Sequence, residues 1–89
     1  MTWGLQVSPE FKRDYRKRCA KDSAFREAVD KKVAQIRENP IRYKPLRQPL
    51  YGLRRVHVKG SFVIVFEPIE DTYVVRLMRL AHHDEAYGI

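Results

Sequence analysis

Leu53-Arg54-Arg55-Val56-His57-Val58, Phe62-Val63-Ile64-Val65-Phe66-Glu67 and Tyr73-Val74-Val75-Arg76-Leu77-Met78-Arg79-Leu80 are three runs rich in β-branched and aromatic residues. Only Lys59-Gly60-Ser61 and Pro68-Ile69-Glu70-Asp71-Thr72 part them. Connections this short join antiparallel neighbours, because a parallel pair needs a crossover of about a dozen residues or more. The runs therefore form a three-strand meander. Alternation along the first sends Val56 and Val58 one way and Arg55, His57 and Lys59 the other, which lines up three basic groups on one sheet face. The second run is apolar on both faces, as a central strand is, and the third carries Arg76 and Arg79 on opposite sides.

Upstream, Pro40, Pro45 and Pro49 cannot donate ladder hydrogen bonds, so residues 40–49 read as a basic loop. Before it, Phe25, Val29, Val33 and Ile36 repeat at helical spacing from a start near Asp22 or Ser23 to a stop before Asn39-Pro40. Phe11, Tyr15 and Cys19 mark an earlier helix, with Ser8 at the N-cap, Pro9 in the first turn and Glu10 at the positive end of the dipole. The two helices make a hairpin jointed near Lys21-Asp22. Trp3, Leu5 and Val7 alternate with Gly4 and Gln6 as a short half-buried strand. The expected fold is α+β: an N-terminal strand, a two-helix hairpin and the antiparallel three-strand meander, in a sheet of about four strands and one domain spanning residues 1–89.

Eighty-nine residues hold one small core and no second module. Apolar residues at 44% argue against disorder, and no apolar run approaches the roughly 20 residues that span a bilayer. The first residues lack a basic start and an apolar h-region, so the expected address is cytoplasmic. A net charge of +7 favours polyanionic partners. Six Lys/Arg and no acid lie between Ile41 and Gly60, six more between Lys12 and Lys21 with only Asp14 among them, and the acids gather in Glu67-Glu70-Asp71 and Asp84-Glu85.

Histidine both takes and gives protons near neutral pH, and Arg and Lys hold phosphate and steady its developing charge. His57 in the basic row, with His82, His83 and Tyr87 after the last strand, point to RNA cleavage or RNA binding. No metal or cofactor is expected: adjacent histidines diverge on a strand and no third ligand lies close in sequence. Asp84 and Glu85 either orient a histidine tautomer or are solvated. The single cysteine, Cys19, excludes an internal disulfide and sits in a helical pattern as a packed residue rather than a nucleophile. Tyr43, Tyr51 and Tyr87 suit base stacking, whereas Phe11, Tyr15, Phe25 and Phe62 suit the core. Arg13, Arg16, Lys17 and Lys21 are a solvated helix face or contacts to rRNA phosphates.

The order of elements, with Asn39-Pro40, Lys44-Pro45-Leu46, Leu50-Tyr51-Gly52-Leu53-Arg54-Arg55-Val56-His57-Val58, Phe62-Val63-Ile64-Val65-Phe66 and His82-His83-Asp84-Glu85-Ala86-Tyr87, resembles the RelE/ParE toxin superfamily, in particular its archaeal RelE-like members. The resemblance covers essentially the whole chain. It implies a type II toxin: a ribosome-dependent endoribonuclease that cuts mRNA in the A site without a metal and is restrained by a cognate antitoxin. Its partners would then be that antitoxin and the ribosome with its mRNA and rRNA, and not a membrane. By the same resemblance His57 and His83 take catalytic roles, as base and acid in either order, with Arg55 as the cation on phosphate and Tyr87 in support. Arg54, Lys59, Lys44, Arg47, Arg79 and His82 are expected to contact RNA. One position departs from the pattern: many RelE nucleases carry an arginine inside the central strand, where this chain has Val63. Its charge would have to come from Arg54, Arg55, Arg76 or Arg79. A ParE-like toxin that inhibits gyrase by binding, or a catalytically inactive RNA-binding relative, is the alternative.

Overall fold

The computed structural model describes residues 2–50 and 52–86. The chain runs β1 (Gly4–Val7), α1 (Pro9–Cys19), α2 (Ser23–Glu38), a 3₁₀ turn (Pro40–Arg42), β2 (Arg54–Lys59), β3 (Phe62–Ile69), β4 (Val74–His82) and α3 (His83–Ala86). Both N-caps form as expected. The Ser8 hydroxyl oxygen accepts the Phe11 N–H at 3.0 Å and the Asp22 carboxylate accepts the Phe25 N–H at 2.9 Å, each satisfying a donor that the first helical turn leaves open. Ser8 also donates to the Met78 carbonyl at 2.9 Å, so one hydroxyl starts α1 and ties it to the sheet.

The sheet order is β1-β4-β3-β2. β2, β3 and β4 are the antiparallel meander, and β1 joins β4 in parallel, so the sheet is mixed. That parallel pairing follows from connectivity: the helical hairpin carries the chain back across the sheet before the meander begins. Gly60 turns β2 into β3 at φ +59°, the left-handed region that lacks a Cβ penalty only for glycine. The helices cover one face, where Phe11, Phe25, Val29, Ile36, Ile64, Phe66, Leu77 and Leu80 form the main core. The other face holds a smaller cluster of Val63, Val65, Ala81 and Ala86.

Three local features differ from the sequence reading. Pro40–Arg42 winds into a 3₁₀ turn within the expected loop. His83–Ala86, directly after β4, make one helical turn, α3, started by the His83 N–H donating to the Ser61 carbonyl at 2.8 Å. Leu5 is exposed rather than half-buried, because beyond it the α1–α2 hairpin leaves an apolar groove open.

Candidate active site

The alternation of exposure along β2 is as expected, although its register with β3 shifts between His57 and Lys59. Arg55, His57 and Lys59 are exposed while Arg54, Val56 and Val58 are half-buried. Arg55 pairs with Val65 and His57 with Val63, and Val63 pairs onward with Ala81, so these residues share one sheet face. Ala86 of α3 packs on that same apolar floor. The basic row of β2 and the helical turn α3 thereby flank one side of the sheet, with β3 and β4 between them. Beside the row, Lys44, Arg47 and Arg55 line a concavity of about 620 Å³ with Pro45, Leu46 and Leu50 beneath them. The loop is held there by a bridge between Pro45 and Arg54 and by the Leu46 N–H donating to the Leu53 carbonyl at 2.9 Å.

Two arginines expected on RNA are engaged within the protein. Arg54 donates through Nη1 to the carbonyls of Ile41, at 3.2 Å, and Tyr43, which clamps the 3₁₀ turn to β2. Arg79 donates through Nε to Asp14 Oδ2 at 2.7 Å, with Nη2 3.5 Å from Oδ1. The same Oδ2 accepts the Leu80 N–H at 3.0 Å. Past Leu77, β4 has lost β1 as a neighbour because the chain has turned into α1, and the Asp14 carboxylate takes over the edge N–H that a strand would have bonded. Arg76 likewise faces Glu67 at 3.6 Å and Gln6 at 3.2 Å. Neither Asp14 nor its two-fold role has a sequence signature, since it sits in a basic run 65 residues from Arg79.

Val63 is fully buried in the small cluster with Val65 and Ala81, and so brings no charge to this face. Tyr43, expected as a stacking platform, packs its ring edge-on against Phe66 at 5.6 Å instead. Tyr51 and Tyr87 lie outside the described residues. Cys19 is buried, and burial pushes its thiol above the usual cysteine range, which suits packing and not nucleophilic attack.

At the end of β4, His82 and His83 do not diverge. The switch from strand to helix between them stacks the two imidazoles at 4.7 Å, inclined by 30°. Asp84 lies against both, 3.5 Å from His82 Nδ1 and 3.0 Å from His83 Nε2. His82 also meets Phe62 edge-on at 5.8 Å, and the Arg18 guanidinium sits over the same Phe62 ring, 4.7 Å from its centre. The sheet face of β2 therefore offers the imidazole of His57, a cationic row and a basic concavity, while the paired imidazoles of His82 and His83 sit at the end of β4 beside Phe62.

A second concavity of about 710 Å³ opens on the helical side, floored by Leu5, Val7, Phe11, Tyr15 and Leu77 and edged by Lys12, Arg16, Arg26 and Arg37. Only the exposure of Leu5 reveals it; the amphipathic patterns of α1 and α2 are those of ordinary core helices.

Residues 5–87 match the family model of the ParE toxin of type II toxin–antitoxin systems. A candidate toxin of Methanocaldococcus jannaschii, RelE4, is 35% identical over 83 residues, covering 93% of this chain and 88% of that protein. The backbone is similar to the toxin–antitoxin complex RelBE2 of Mycobacterium tuberculosis, with TM-score 0.78, 20% identity and coverage of 92% and 99% of the respective chains. It is similar also to a YoeB/ParE toxin of Agrobacterium tumefaciens, with TM-score 0.81 at 13% identity, covering 90% and 98%.

Proposed function

The chain belongs to the RelE/ParE family of type II toxin–antitoxin toxins, and on that premise we propose that it is a ribosome-dependent endoribonuclease that cuts mRNA in the ribosomal A site. The observation that carries this reading is the sheet face shared by Arg55 and His57, flanked by α3 and beside the concavity of Lys44 and Arg47. Cleavage begins when one histidine, neutral, takes the proton of a ribose 2′-hydroxyl. The freed oxygen attacks the adjacent phosphorus, and Arg55 steadies the charge that grows on the non-bridging oxygens. The 5′-oxygen then leaves with a proton from the other histidine, yielding a 2′,3′-cyclic phosphate and a 5′-hydroxyl. His57 and His83 fill the two proton-transfer roles in either order. Tyr87 would support the leaving group or the base stack, and Lys59, Lys44, Arg47 and His82 would hold the strand. No step calls for a cofactor.

The antitoxin partner would carry an acidic, amphipathic segment, since both the basic sheet face and the groove edged by Lys12, Arg16, Arg26 and Arg37 favour negative charge. Its place of action would be the cytoplasm; among the described residues no helix is long and apolar enough to cross a membrane.

Val63 supports a second reading. An apolar, fully buried residue where many RelE nucleases carry arginine fits a ParE-like toxin that blocks gyrase without cutting RNA. Programmed ribosomes with a defined A-site codon separate the two: the purified chain should cleave the mRNA there and leave supercoiling by gyrase unaffected. Inhibited gyrase with intact mRNA would reverse the assignment.

A further inference from the structure

We propose that His82, His83 and Asp84 form a binding site for one divalent transition-metal ion of the zinc class. Two imidazoles and a carboxylate are donors of the borderline hardness that zinc, nickel and copper take up. Around such an ion, bonds of about 2.0–2.2 Å set neighbouring donor atoms roughly 3.0–3.5 Å apart. Here His83 Nε2 lies 3.0 Å and His82 Nδ1 3.5 Å from the two oxygens of Asp84, and one donor atom from each of the three residues falls within 4.8 Å of the others. The fold thus already gathers ligands that a flexible surface cluster would have to bring together on binding.

The fold does it in three ways. Pairing of Phe62 with His82 in the β3–β4 ladder fixes the backbone of the first ligand, and the edge contact with Phe62 orients the imidazole. The Ser61 carbonyl, taking the His83 N–H, starts α3 at that residue and folds the second imidazole back over the first. The Asp84 N–H donates to His82 Nδ1 at 3.3 Å, a long bond that an ion taking the same lone pair would replace. Glu85, the next acid, is drawn aside toward Arg18 at 3.9 Å. His82 and His83 are 36% and 46% exposed and Asp84 74%, so the site is open to an ion from solvent and leaves room for a water as a further ligand.

Calorimetric titration of the untagged, full chain with zinc chloride tests the site, and cobalt(II) absorption reports the coordination geometry. Saturation at one ion per chain is expected, unaffected by excess magnesium. His82→Ala and Asp84→Asn should each weaken binding by about tenfold or more, while His57→Ala, on β2, leaves the isotherm as it was. Both side chains are at the surface, so circular dichroism should show the variants folded. Absence of saturable binding, or an isotherm that neither His82→Ala nor Asp84→Asn shifts, overturns the proposal. Its reach into activity rests on the nuclease reading: occupancy of His83 should block mRNA cleavage over the same range of zinc concentration, with recovery on chelation. Binding without inhibition upholds the metal site and counts against His83 as a catalytic residue, so the two readings fail separately.

Discussion

Replacing Asp14 by Ala should cost the fold about 2–3 kcal/mol. The magnitude follows from what the carboxylate holds. It is the acceptor for the Leu80 N–H at 3.0 Å and for Arg79 Nε at 2.7 Å, with side-chain exposures of 13% for Asp14 and 24% for Arg79. A charge-assisted hydrogen bond contributes about 1.5–3 kcal/mol, and an orphaned buried donor costs about 1–3 kcal/mol. The two losses overlap, because Arg79 is exposed enough to turn toward water and recover part of its hydration. For a domain of this size each kcal/mol lowers the midpoint by about 4–8 °C, so the variant should melt roughly 10–20 °C below the parent. Thermal and urea unfolding followed by circular dichroism measure it. Arg79→Met should cost less, since Asp14 keeps the Leu80 N–H, and the double variant should fall short of the sum, with a coupling of about 0.5–3 kcal/mol. If Asp14→Ala melts within a degree or two of the parent, or if the two substitutions add, the carboxylate is not the bond that closes the exposed end of β4.

His57→Ala and His83→Ala should each slow ribosome-dependent mRNA cleavage by about 10²-fold or more while ribosome binding holds, and Arg55→Ala should weaken both; full cleavage in both histidine variants would remove the acid–base assignment. Binding to single-stranded RNA should weaken steeply with salt, and Lys44→Ala or Arg47→Ala should each flatten the log–log slope by about 0.7, the yield of one lost phosphate contact. Tyr15 donates to Asp30 at 2.8 Å, and burial first, then that hydrogen bond, push its hydroxyl up from 10.0 to about 12. The unfolded chain gives up this proton more readily than the folded one, so the contribution is intact below pH 10 and is lost as pH rises from 10 toward 12. Ultraviolet titration should show a late tyrosine that is missing in Tyr15→Phe; an absorbance change complete near the ordinary tyrosine range would contradict the burial.

The elements of the fold were legible because each carries a local signal: Ser8 and Asp22 cap helices through short-range bonds, and period-two patterning set β2 and its basic row. What escaped was non-local. The parallel pairing of β1 with β4 depends on where the helical hairpin returns the chain, and no pattern within Gly4–Val7 records it. Arg54 and Arg79 look in sequence like any basic residues of a nucleic-acid surface, yet carbonyls of the 3₁₀ turn claim one and Asp14 the other. Charge alone cannot separate an arginine that faces solvent from one that closes a loop, because the partner is supplied by another part of the chain.

The same distinction bears on the chemistry. Of the four arginines that could replace the charge missing at Val63, Arg54, Arg76 and Arg79 are held by partners within the protein. Arg55 is exposed, lies next in alternation to His57 and lines the concavity with Lys44 and Arg47. On the proposed nuclease reading Arg55 is the guanidinium placed to stabilise the phosphate, from the edge strand β2 in place of the central strand β3. A solvent-exposed guanidinium stays hydrated, so its electrostatic effect on a transition state is smaller than that of a charge in a water-excluded site. Arg55→Lys is the substitution that reads this most directly: it keeps the charge and removes the planar fork that binds two phosphate oxygens at once. Cleavage should fall well below wild type in Arg55→Lys while ribosome binding stays close to it. Equal cleavage by lysine would mean that Arg55 acts as diffuse charge, and the assignment of one phosphate-holding guanidinium would have to be abandoned.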